Sequence, residues 1–335
     1  MRTSFRRPSG RLLARFAIFC LLVVGASPAW AQLAGTKNIP GDYPDLAAAV
    51  TDLNAQGVGA GGVTLNVLAG NAQNAPAGGY SIATTTASAA NPVTLNCNGN
   101  TLTASAALTA GALNDAIVKI IGTDSVTITN CVMLENAANT TTTAASNNMT
   151  EWGVAILYAT ATDNAQNATI QGNTIDLNRT YQNTFGIYAN ATHTAAAVTT
   201  SATGTGANGG NSGLKIYTNQ ITDVNMGIVV VGPTAAADHQ DNVEVGGTAP
   251  QGNQITNYGT TSGISGYANV SGTVNGILVR NTRNFTIANN TVTSSVGGVT
   301  AGTLNGIQVP AFSVAQTGTF VHNINANLIS LRSGV

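Results

Sequence analysis

Charged residues are what this sequence has least of. Asp, Glu, Lys and Arg make up 7% of the 335 residues, against roughly 25% in an average soluble protein. Aromatic residues are also scarce, with eight Tyr, seven Phe and two Trp. Such a chain does not build an ordinary globule around aromatic anchors and surface ion pairs. With 12 Lys and Arg in all, it lacks the clustered positive charge that phosphate neutralisation needs, which argues against a nucleic-acid partner.

Positive charge is concentrated at the start of the chain. Five arginines stand there, namely Arg2, Arg6, Arg7, Arg11 and Arg15. They are followed by an apolar run over residues 16–26 and then by Ala29-Trp30-Ala31. The run is short for a bilayer span, and small residues stand where a signal peptidase cuts. We predict a signal peptide over residues 1–31, with an uncleaved membrane anchor as the alternative. Without these residues the chain has seven basic and 13 acidic residues, a net charge of −6.

The signal predicts export, to the medium or to the outer surface of a Gram-negative-type bacterium, with no transmembrane segment in the mature chain. Cys20 leaves with the signal, so the mature chain keeps Cys97 and Cys131. An oxidising compartment permits a disulfide between them, and two buried free thiols are the alternative. Two cysteines are too few for a disulfide scaffold or a zinc site. We therefore expect no metal and no cofactor.

Two short signatures recur along the chain in a fixed order. Asn-x-[Ile/Val/Leu] occurs at Asn100, Asn130, Asn173, Asn219, Asn253, Asn290 and Asn327, with spacings of 30 to 46 residues. Gly followed by Ile or Val falls between successive copies, at Gly153, Gly186, Gly227, Gly276 and Gly306. Chance matches in an Asn-rich chain are the alternative explanation, but the constant order favours a true repeat.

The repeat predicts a short strand, a turn at the asparagine, a second strand, a loop and then a Gly-Ile strand. Segments such as Val126-Thr-Ile128 and Ala168-Thr-Ile170 alternate apolar and polar residues, as a half-buried strand does. One unit cannot bury its apolar residues alone, whereas stacked units share a column of Ile, Val and Leu. We therefore predict an all-β fold, a right-handed parallel β-helix over residues 62–335, with the turn asparagines forming a ladder.

The repeats resemble those of the pectin lyase-like group of right-handed parallel β-helix proteins. The segments that carry the resemblance are Ile170-Gln-Gly-Asn-Thr-Ile175 and Ile287-Ala-Asn-Asn-Thr-Val292, each followed by Gly-Ile, the expanded coil Val243–Thr248 running to Ile255, and the entry Ile39–Val50. The resemblance covers about residues 38 to 335 and implies coil repeats of the PbH1 type. It implies the fold and a secreted bacterial protein, and it does not single out one activity.

Residues 32–61 are predicted to form an N-terminal cap. Leu46, Ala49, Val50 and Leu53 recur at helical spacing after Pro44 and Asp45. A short amphipathic helix here would cover one open end of the solenoid. Residues 62–67 would then form the first strand. At the other end, Gly334-Val335 has the form of another Gly-Ile strand, so we expect the coils to continue in a longer protein.

Catalytic signatures of the pectin lyase-like enzymes are not found in this sequence. The one charged cluster holds Asp238, Asp241 and Glu244, which could bind calcium or a glycan through oxygen ligands or could form a solvated loop. Arg280 and Arg283 could serve as the base of an elimination or could be surface charges. His193 and His322 have no acid or nucleophile near them in the sequence.

Three functions remain open at this stage. The first is a non-catalytic secreted or surface β-helix, an adhesin-like or structural element. The second is a polysaccharide lyase or glycoside hydrolase, which requires Asp238, Asp241 and Arg280 to converge. The third is a carbohydrate-binding β-helix, supported by Tyr158, Tyr188 and Tyr217 at comparable coil positions. Low-charge insertions at 137–150, 195–213 and 259–273 are either solvated loops or a binding face. The expected partner is an extracellular polysaccharide or a cell-surface molecule.

Overall fold

The computed structural model describes residues 32–106, 108–143, 146–181, 183–190, 209–259, 273–294 and 303–331. The predicted signal peptide, His193, most of two predicted loop insertions and residues 332–335 lie outside these ranges. All statements below concern the described residues. No helix among them is long and apolar enough to cross a membrane.

The described chain folds into three parallel β-sheets. Sheet A contains nine strands, which are β1 (Leu33–Ile39), β2 (Val58–Val67), β5 (Val93–Asn96), β8 (Val126–Thr129), β11 (Thr169–Gln171), β14 (Lys215–Tyr217), β17 (Val243–Val245), β20 (Phe285–Ala288) and β23 (His322–Asn325). Sheet B contains eight, which are β3 (Gln73–Asn74), β6 (Thr101–Thr103), β9 (Val132–Leu134), β12 (Thr174–Asp176), β15 (Gln220–Thr222), β18 (Gln254–Tyr258), β21 (Thr291–Ser294) and β24 (Leu328–Ser330).

Sheet C contains seven strands, which are β4 (Tyr80–Ile82), β7 (Ala116–Ile121), β10 (Trp152–Leu157), β13 (Phe185–Ala189), β16 (Met226–Val231), β19 (Thr273–Arg280) and β22 (Thr303–Gln308). From β5 onward the chain visits sheets A, B and C in turn and then returns to A. Each circuit is one coil, and each strand pairs with the equivalent strand of the next coil. The fold is a right-handed parallel β-helix, as the repeat predicted.

The interior is a column of aliphatic side chains held in register. In sheet A, Ile128, Ile170 and Ile216 are aligned in successive strands, and each is fully buried. Ile175, Ile221 and Ile255 form the matching column in sheet B. Burial of these side chains supplies the main stabilising free energy, at about 25 cal/mol per Å² of apolar area removed from water.

The turn between sheets A and B carries the predicted asparagine ladder. Asn219 is fully buried, and its Oδ1 accepts hydrogen bonds from the backbone N–H and the side-chain amide of Asn173 at 3.1 and 3.0 Å. Its own amide donates to the carbonyl of Ile170 at 2.8 Å. The same pattern continues through Asn253, Asn290 and Asn327. The ladder pairs polar groups that the tight turn would otherwise bury unsatisfied.

One predicted rung of the ladder is wrong. Asn130 was assigned to it, but strand register aligns Cys131 with Asn173, because Val132 pairs with Thr174. Asn130 instead has a left-handed backbone (φ 56°) and donates to Asn96 on the outer surface. The one-residue shift arose because Asn130-Cys-Val132 matches the signature by chance beside the true rung. Cys131 forms a disulfide with Cys97, which selects the first of the two alternatives for these cysteines.

The recurring glycines lie where sheets B and C approach each other. A Cβ placed on Gly227 would lie 2.4 Å from the carbonyl oxygen of Gly276 and 2.6 Å from Ile255. Gly153 and Gly186 are equally confined, by Ile175 and Ile221. A side chain at these positions would collide with the aliphatic column, which explains why glycine recurs there.

Helix α1 (Leu46–Gln56) forms at the predicted place, and Leu46, Ala49, Val50 and Leu53 are its buried face. Asp45 caps it by accepting from the N–H of Ala48 at 2.8 Å. The side chain of Asn54 donates to the carbonyl of Ser81 at 2.7 Å and accepts from the N–H of Ala83 at 2.9 Å. The helix thus covers the edge of β4, the first strand of sheet C.

The prediction of 62–67 as the first strand is wrong in its order and its start. β1 precedes α1 and pairs with β2, which itself begins at Val58. The sequence pattern does not predict β1, because Leu33-Ala-Gly-Thr-Lys-Asn-Ile39 has one large apolar residue at each end of a mostly polar segment and no alternation between them. The conformation of β1 depends on its pairing with β2, and β2 follows helix α1 in the sequence.

Candidate functional site

The outer face of sheet C is covered along most of its strands, and at β19 and β22 it carries a groove of about 250 Å³ lined by Met226, Thr273, Asn275, Leu278, Arg280, Gln308 and Pro310. A second apolar cluster, here called the outer layer, lies on this face and consists of Leu113, Ala116, Met149, Trp152, Ala155, Leu157, Tyr181, Phe185, Tyr188, Met226, Val229, Val231 and Leu278. Trp152 and Tyr188 stack with ring centroids 5.0 Å apart, and both are fully buried. Met149 and Tyr181 come from the loops before β10 and β13, so these loops close the face.

Three carboxyl groups lie beneath the same loops, of which those of Asp115 and Glu151 are buried and that of Glu135 is half-buried. The carboxyl cluster consists of Asp115, Glu135 and Glu151. Glu151 is fully buried and accepts from the hydroxyl of Tyr181 at 2.7 Å and from the N–H of Asp115 at 2.8 Å. Glu135 accepts from the N–H and the hydroxyl of Thr150, both at 2.9 Å. These bonds attach the loop before β10 to its neighbours.

Burial in this place changes how the groups bind protons. Burial raises the pKa of Glu151 well above its usual range, and the carboxyls of Asp115 and Glu135 add to the effect. Burial also raises the pKa of Asp115 to about 6, against the opposing charge of Lys119. The pKa of the Lys119 amine is itself lowered, by burial. Asp115 Oδ2 has no hydrogen-bond partner among the described residues.

The sequence contained a signal for this cluster that the motif search did not use. Asp115 and Glu151 both stand immediately before a strand of sheet C, and Ala116 pairs with Trp152 in the register. Two acids at the same coil position are notable in a chain with so little charge. The search looked for family signatures and for acids close together in sequence, whereas these acids are one coil apart.

A polar groove runs along the turns that lead from sheet C back to sheet A. This turn groove has a volume of about 640 Å³ and is lined by Asp124, Thr162, Asp163, Asn164, Gln166, Gly209, Ser212, Ala237 and Arg283. Burial and the neighbouring Asp163 raise the pKa of Asp124, while a hydrogen bond from the N–H of Gln166 at 2.8 Å lowers it. The groove offers carboxylates, amides and one guanidinium across several successive coils.

None of the three predicted acidic residues is among the residues that line this groove, and they share no partner. Asp241 pairs with Arg283 (Oδ2 to Nη2, 3.6 Å) and accepts from the side-chain amide of Asn284 at 2.7 Å. Glu244 lies on sheet A and accepts from the hydroxyl of Tyr217. Asp238 ends a 3-10 turn, and its carboxyl makes no hydrogen bond or ion pair with any described residue. No group of three or more His, Cys, Asp or Glu in the described ranges is arranged to hold a metal ion.

The two arginines are not equivalent. Arg283 is the partner of Asp241, whereas Arg280 ends β19 and donates to Ser313 at 3.4 Å. Of the residues whose convergence an elimination or hydrolysis would require, Asp241 forms its ion pair with Arg283 and not with Arg280. Sequence spacing could not distinguish the two arginines, because one ends a strand of sheet C and the other lies in the turn that follows.

The three tyrosines are divided between different faces. Tyr188 belongs to the outer layer of sheet C, Tyr158 follows β10, and Tyr217 ends β14 in sheet A. All three are buried, so they do not form one exposed aromatic row. His322 stacks on Phe285 with ring centroids 4.4 Å apart.

The coil geometry and the asparagine ladder place the protein in the class of right-handed parallel β-helix proteins. Comparison with family models, with curated proteins and with solved structures finds no match to this chain.

Proposed function

We propose that the protein is a secreted or surface-displayed β-helix of the pectin lyase-like group, with an adhesin-like or structural role and no catalytic activity. The observation that carries the proposal is the closure of sheet C. Its outer face has strands of up to eight residues, and from β7 to β16 it is covered by Trp152, Tyr188 and the loops over them. The closed face favours a rigid rod over an open cleft.

Internal pairing of the charged residues supports the same role. Glu151 and Glu135 hold loops in place, and Asp241 is held by Arg283 and Asn284. In each case the carboxylate already has donors from the chain itself. A general acid or base must instead lie within reach of a substrate proton.

Two further observations support export and the family assignment as proposals. The Cys97–Cys131 disulfide joins adjacent coils, and disulfides persist in oxidising compartments outside the cytosol. The asparagine turns and the confined Gly-Ile strands match the coil pattern on which the resemblance to the pectin lyase-like group rests.

Polysaccharide binding at the turn groove is the second candidate function. The groove is polar and long, and Asp124, Asp163, Gln166 and Arg283 present the carboxylate, amide and guanidinium groups that bind sugar hydroxyls. A polysaccharide lying along the solenoid would contact several coils at once. This candidate is compatible with an adhesin, and it places Asp241 behind the groove as the residue that orients Arg283.

Incubation with glycans separates these functions. The purified protein is mixed with polygalacturonate and other acidic and neutral polysaccharides, with and without calcium. We expect no unsaturated product and no new reducing ends. Retention of the protein on an insoluble polysaccharide, lost in Arg283→Ala and kept in Arg280→Ala, would establish the second candidate. Formation of either product would contradict the proposal and favour a lyase or a hydrolase.

A further inference from the structure

The turn groove contains a buried side-chain amide without a partner. Asn164 lines this groove, and only 5% of its surface is exposed. Its Nδ2 atom is buried and makes no hydrogen bond with any of the described residues. Buried amides in proteins are normally paired with protein groups or with ordered water. The unpaired amide of Asn164 therefore indicates a ligand that supplies a hydrogen-bond acceptor inside the groove.

The neighbouring carboxylates can accept hydrogen bonds from the same ligand. Asp163 lines the groove beside Asn164, and its carboxylate makes no hydrogen bond or ion pair within the described part of the chain. Asp124 lies in the turn one coil earlier, where its Oδ1 accepts from the N–H of Gln166 at 2.8 Å. Its other carboxylate oxygen has no such donor among the described residues. Since carboxylates are acceptors only, these oxygens require donors from a ligand or from water.

Negative charge is in excess at the turn groove. Among the described residues that line it, Arg283 is the one with a basic side chain, and this guanidinium is already paired with Asp241 at 3.6 Å. Asp124 and Asp163 have no basic partner of this kind. Burial raises the pKa of Asp124, and the charge of Asp163 raises it further, which shows that the two carboxylates lie close together. An anionic ligand would be repelled by both.

A hydroxyl group fits this combination of donor and acceptors. A sugar hydroxyl both donates and accepts, so one hydroxyl can donate to Asp163 and accept from the Nδ2 of Asn164. The carboxylate of a uronic acid only accepts, and it would face Asp124 and Asp163 without a proton to donate. A protonated amine only donates, and it would leave the Nδ2 of Asn164 unpaired.

The length of the groove suits a linear polymer. Asp124, Asn164, Ser212, Ala237 and Arg283 belong to five successive turns from sheet C to sheet A, and successive turns are about 4.8 Å apart. An extended chain lying along the solenoid axis would contact each turn in order. Repeated contacts of this kind favour a polysaccharide over a single sugar.

We propose that the turn groove binds an uncharged, hydroxyl-rich polysaccharide, and that Asp163 and Asn164 hold its hydroxyls while Asp124 and Asp163 exclude polymers of uronic acids. The inference rests on the second candidate function, polysaccharide binding at this groove, and adds to it the class of polysaccharide and the residues that select it.

Isothermal titration calorimetry and affinity electrophoresis of the purified protein test the inference. The probes are β-glucan, galactan, mannan and xylan as neutral polymers, polygalacturonate as an acidic one and chitosan as a basic one. We expect binding to a neutral polymer and none to polygalacturonate. Asn164→Ala should weaken neutral binding about tenfold, the equivalent of one hydrogen bond. Thermal melts followed by circular dichroism should show a folded variant, because the Nδ2 of Asn164 makes no hydrogen bond within the described fold.

A gain of binding gives a second readout that misfolding cannot imitate. The double variant Asp124→Asn, Asp163→Asn should acquire binding to polygalacturonate, because the repulsion is removed and amides donate to carboxylates. The matched control is Asp42→Asn, Asp176→Asn, which removes the same charge at positions that do not line the groove. This control should bind like the natural protein.

Three results would overturn the inference. Tighter binding of polygalacturonate or chitosan than of every neutral polymer would contradict the proposed class and leave polysaccharide binding standing as the function. Neutral binding that is unchanged in Asn164→Ala, together with no gain in the double variant, would place the binding site elsewhere on the molecule. Binding to none of the polymers would contradict both this inference and the second candidate function.

Discussion

The backbone N–H of Cys131 donates to the Oδ1 of Asn173 at 3.0 Å, so a cysteine occupies a rung of the asparagine ladder. A cysteine side chain cannot make the amide hydrogen bonds of the other rungs. Its sulfur is instead bonded to Cys97 in the preceding coil. At this rung a covalent bond connects the two coils in place of side-chain hydrogen bonds between amides.

Loss of this disulfide should destabilise the protein by about 4 kcal/mol, because it closes a loop of 34 residues in the unfolded chain. The double variant Cys97→Ala, Cys131→Ala should show this loss as a lower midpoint in urea unfolding. Reductant should lower the midpoint of the natural protein and leave that of the variant unchanged. Equal midpoints for the natural protein with and without reductant would contradict the role of the bond.

Removal of one amide from the ladder should cost about 3 kcal/mol or more. Asn219→Ala leaves the N–H and the amide of Asn173 without their acceptor and the carbonyl of Ile170 without its donor. Each buried polar group without a partner costs about 1–3 kcal/mol. Gln220→Ala, at the adjacent exposed position, should change the free energy of unfolding by about 0.5 kcal/mol or less. Similar losses in the two variants would show that the ladder is not stabilising.

A methyl group at the sheet C glycines should not be tolerated. Gly227→Ala places a Cβ 2.4 Å from the backbone oxygen of Gly276, and the strand pairing prevents that oxygen from moving. We expect a loss of about 1–3 kcal/mol, as for other overpacked cores. Gly78→Ala is the matched control, since a Cβ there meets no atom within 4 Å. Thermal melts of both variants compare the two positions directly.

The carboxyl cluster should make the protein less stable as the pH rises. Burial raises the pKa of Asp115 from 3.8 to about 6 and raises that of Glu151 in the same direction. The folded state therefore binds more protons than the unfolded state. The stabilisation is complete below a pH of about 4 and is lost as the pH rises through about 6.

Glu151→Gln should remove part of this dependence, because the amide stays neutral and still occupies the site beside Tyr181. At a pH of about 8 the variant should be more stable than the natural protein, and at a pH of about 4 the two should be equal. Trp152, the one tryptophan outside residues 1–31, reports the packing of the outer layer by fluorescence. A gain of equal size at both pH values would contradict ionisation as the cause.

The architecture could be predicted from the sequence because its determinants are local and repeated. Asn173, Asn219, Asn253 and Asn290 stand at turns, and Gly227 stands at a crowded strand, in every case beside an Ile of fixed position. The helix over Leu46 to Leu53 followed from spacing alone. Each of these features can be recognised from a few consecutive residues. The turns and the crowded strands also recur from coil to coil, which makes the pattern visible in the sequence.

Contacts between coils could not be predicted in the same way. Asp241 pairs with Arg283 and not with Arg280, and Glu151 meets Asp115, because the register of neighbouring coils brings them together. Coil length varies as loops are inserted, so sequence separation does not give position in the next coil. The shift of one residue from Asn130 to Cys131 has the same origin.

The central claim, that successive copies stack as parallel coils in register, is tested most directly by distances between spin labels on the outer face of sheet A. One register row across sheet A contains Thr94, Thr169, Glu244 and Thr286. Each strand crossed along this row increases the distance by one strand spacing. Paired labels on Thr94 and each of the other three positions should give distances that increase by about 4.8 Å for each strand crossed. Distances that do not rise with the number of strands would contradict the stacked parallel coil.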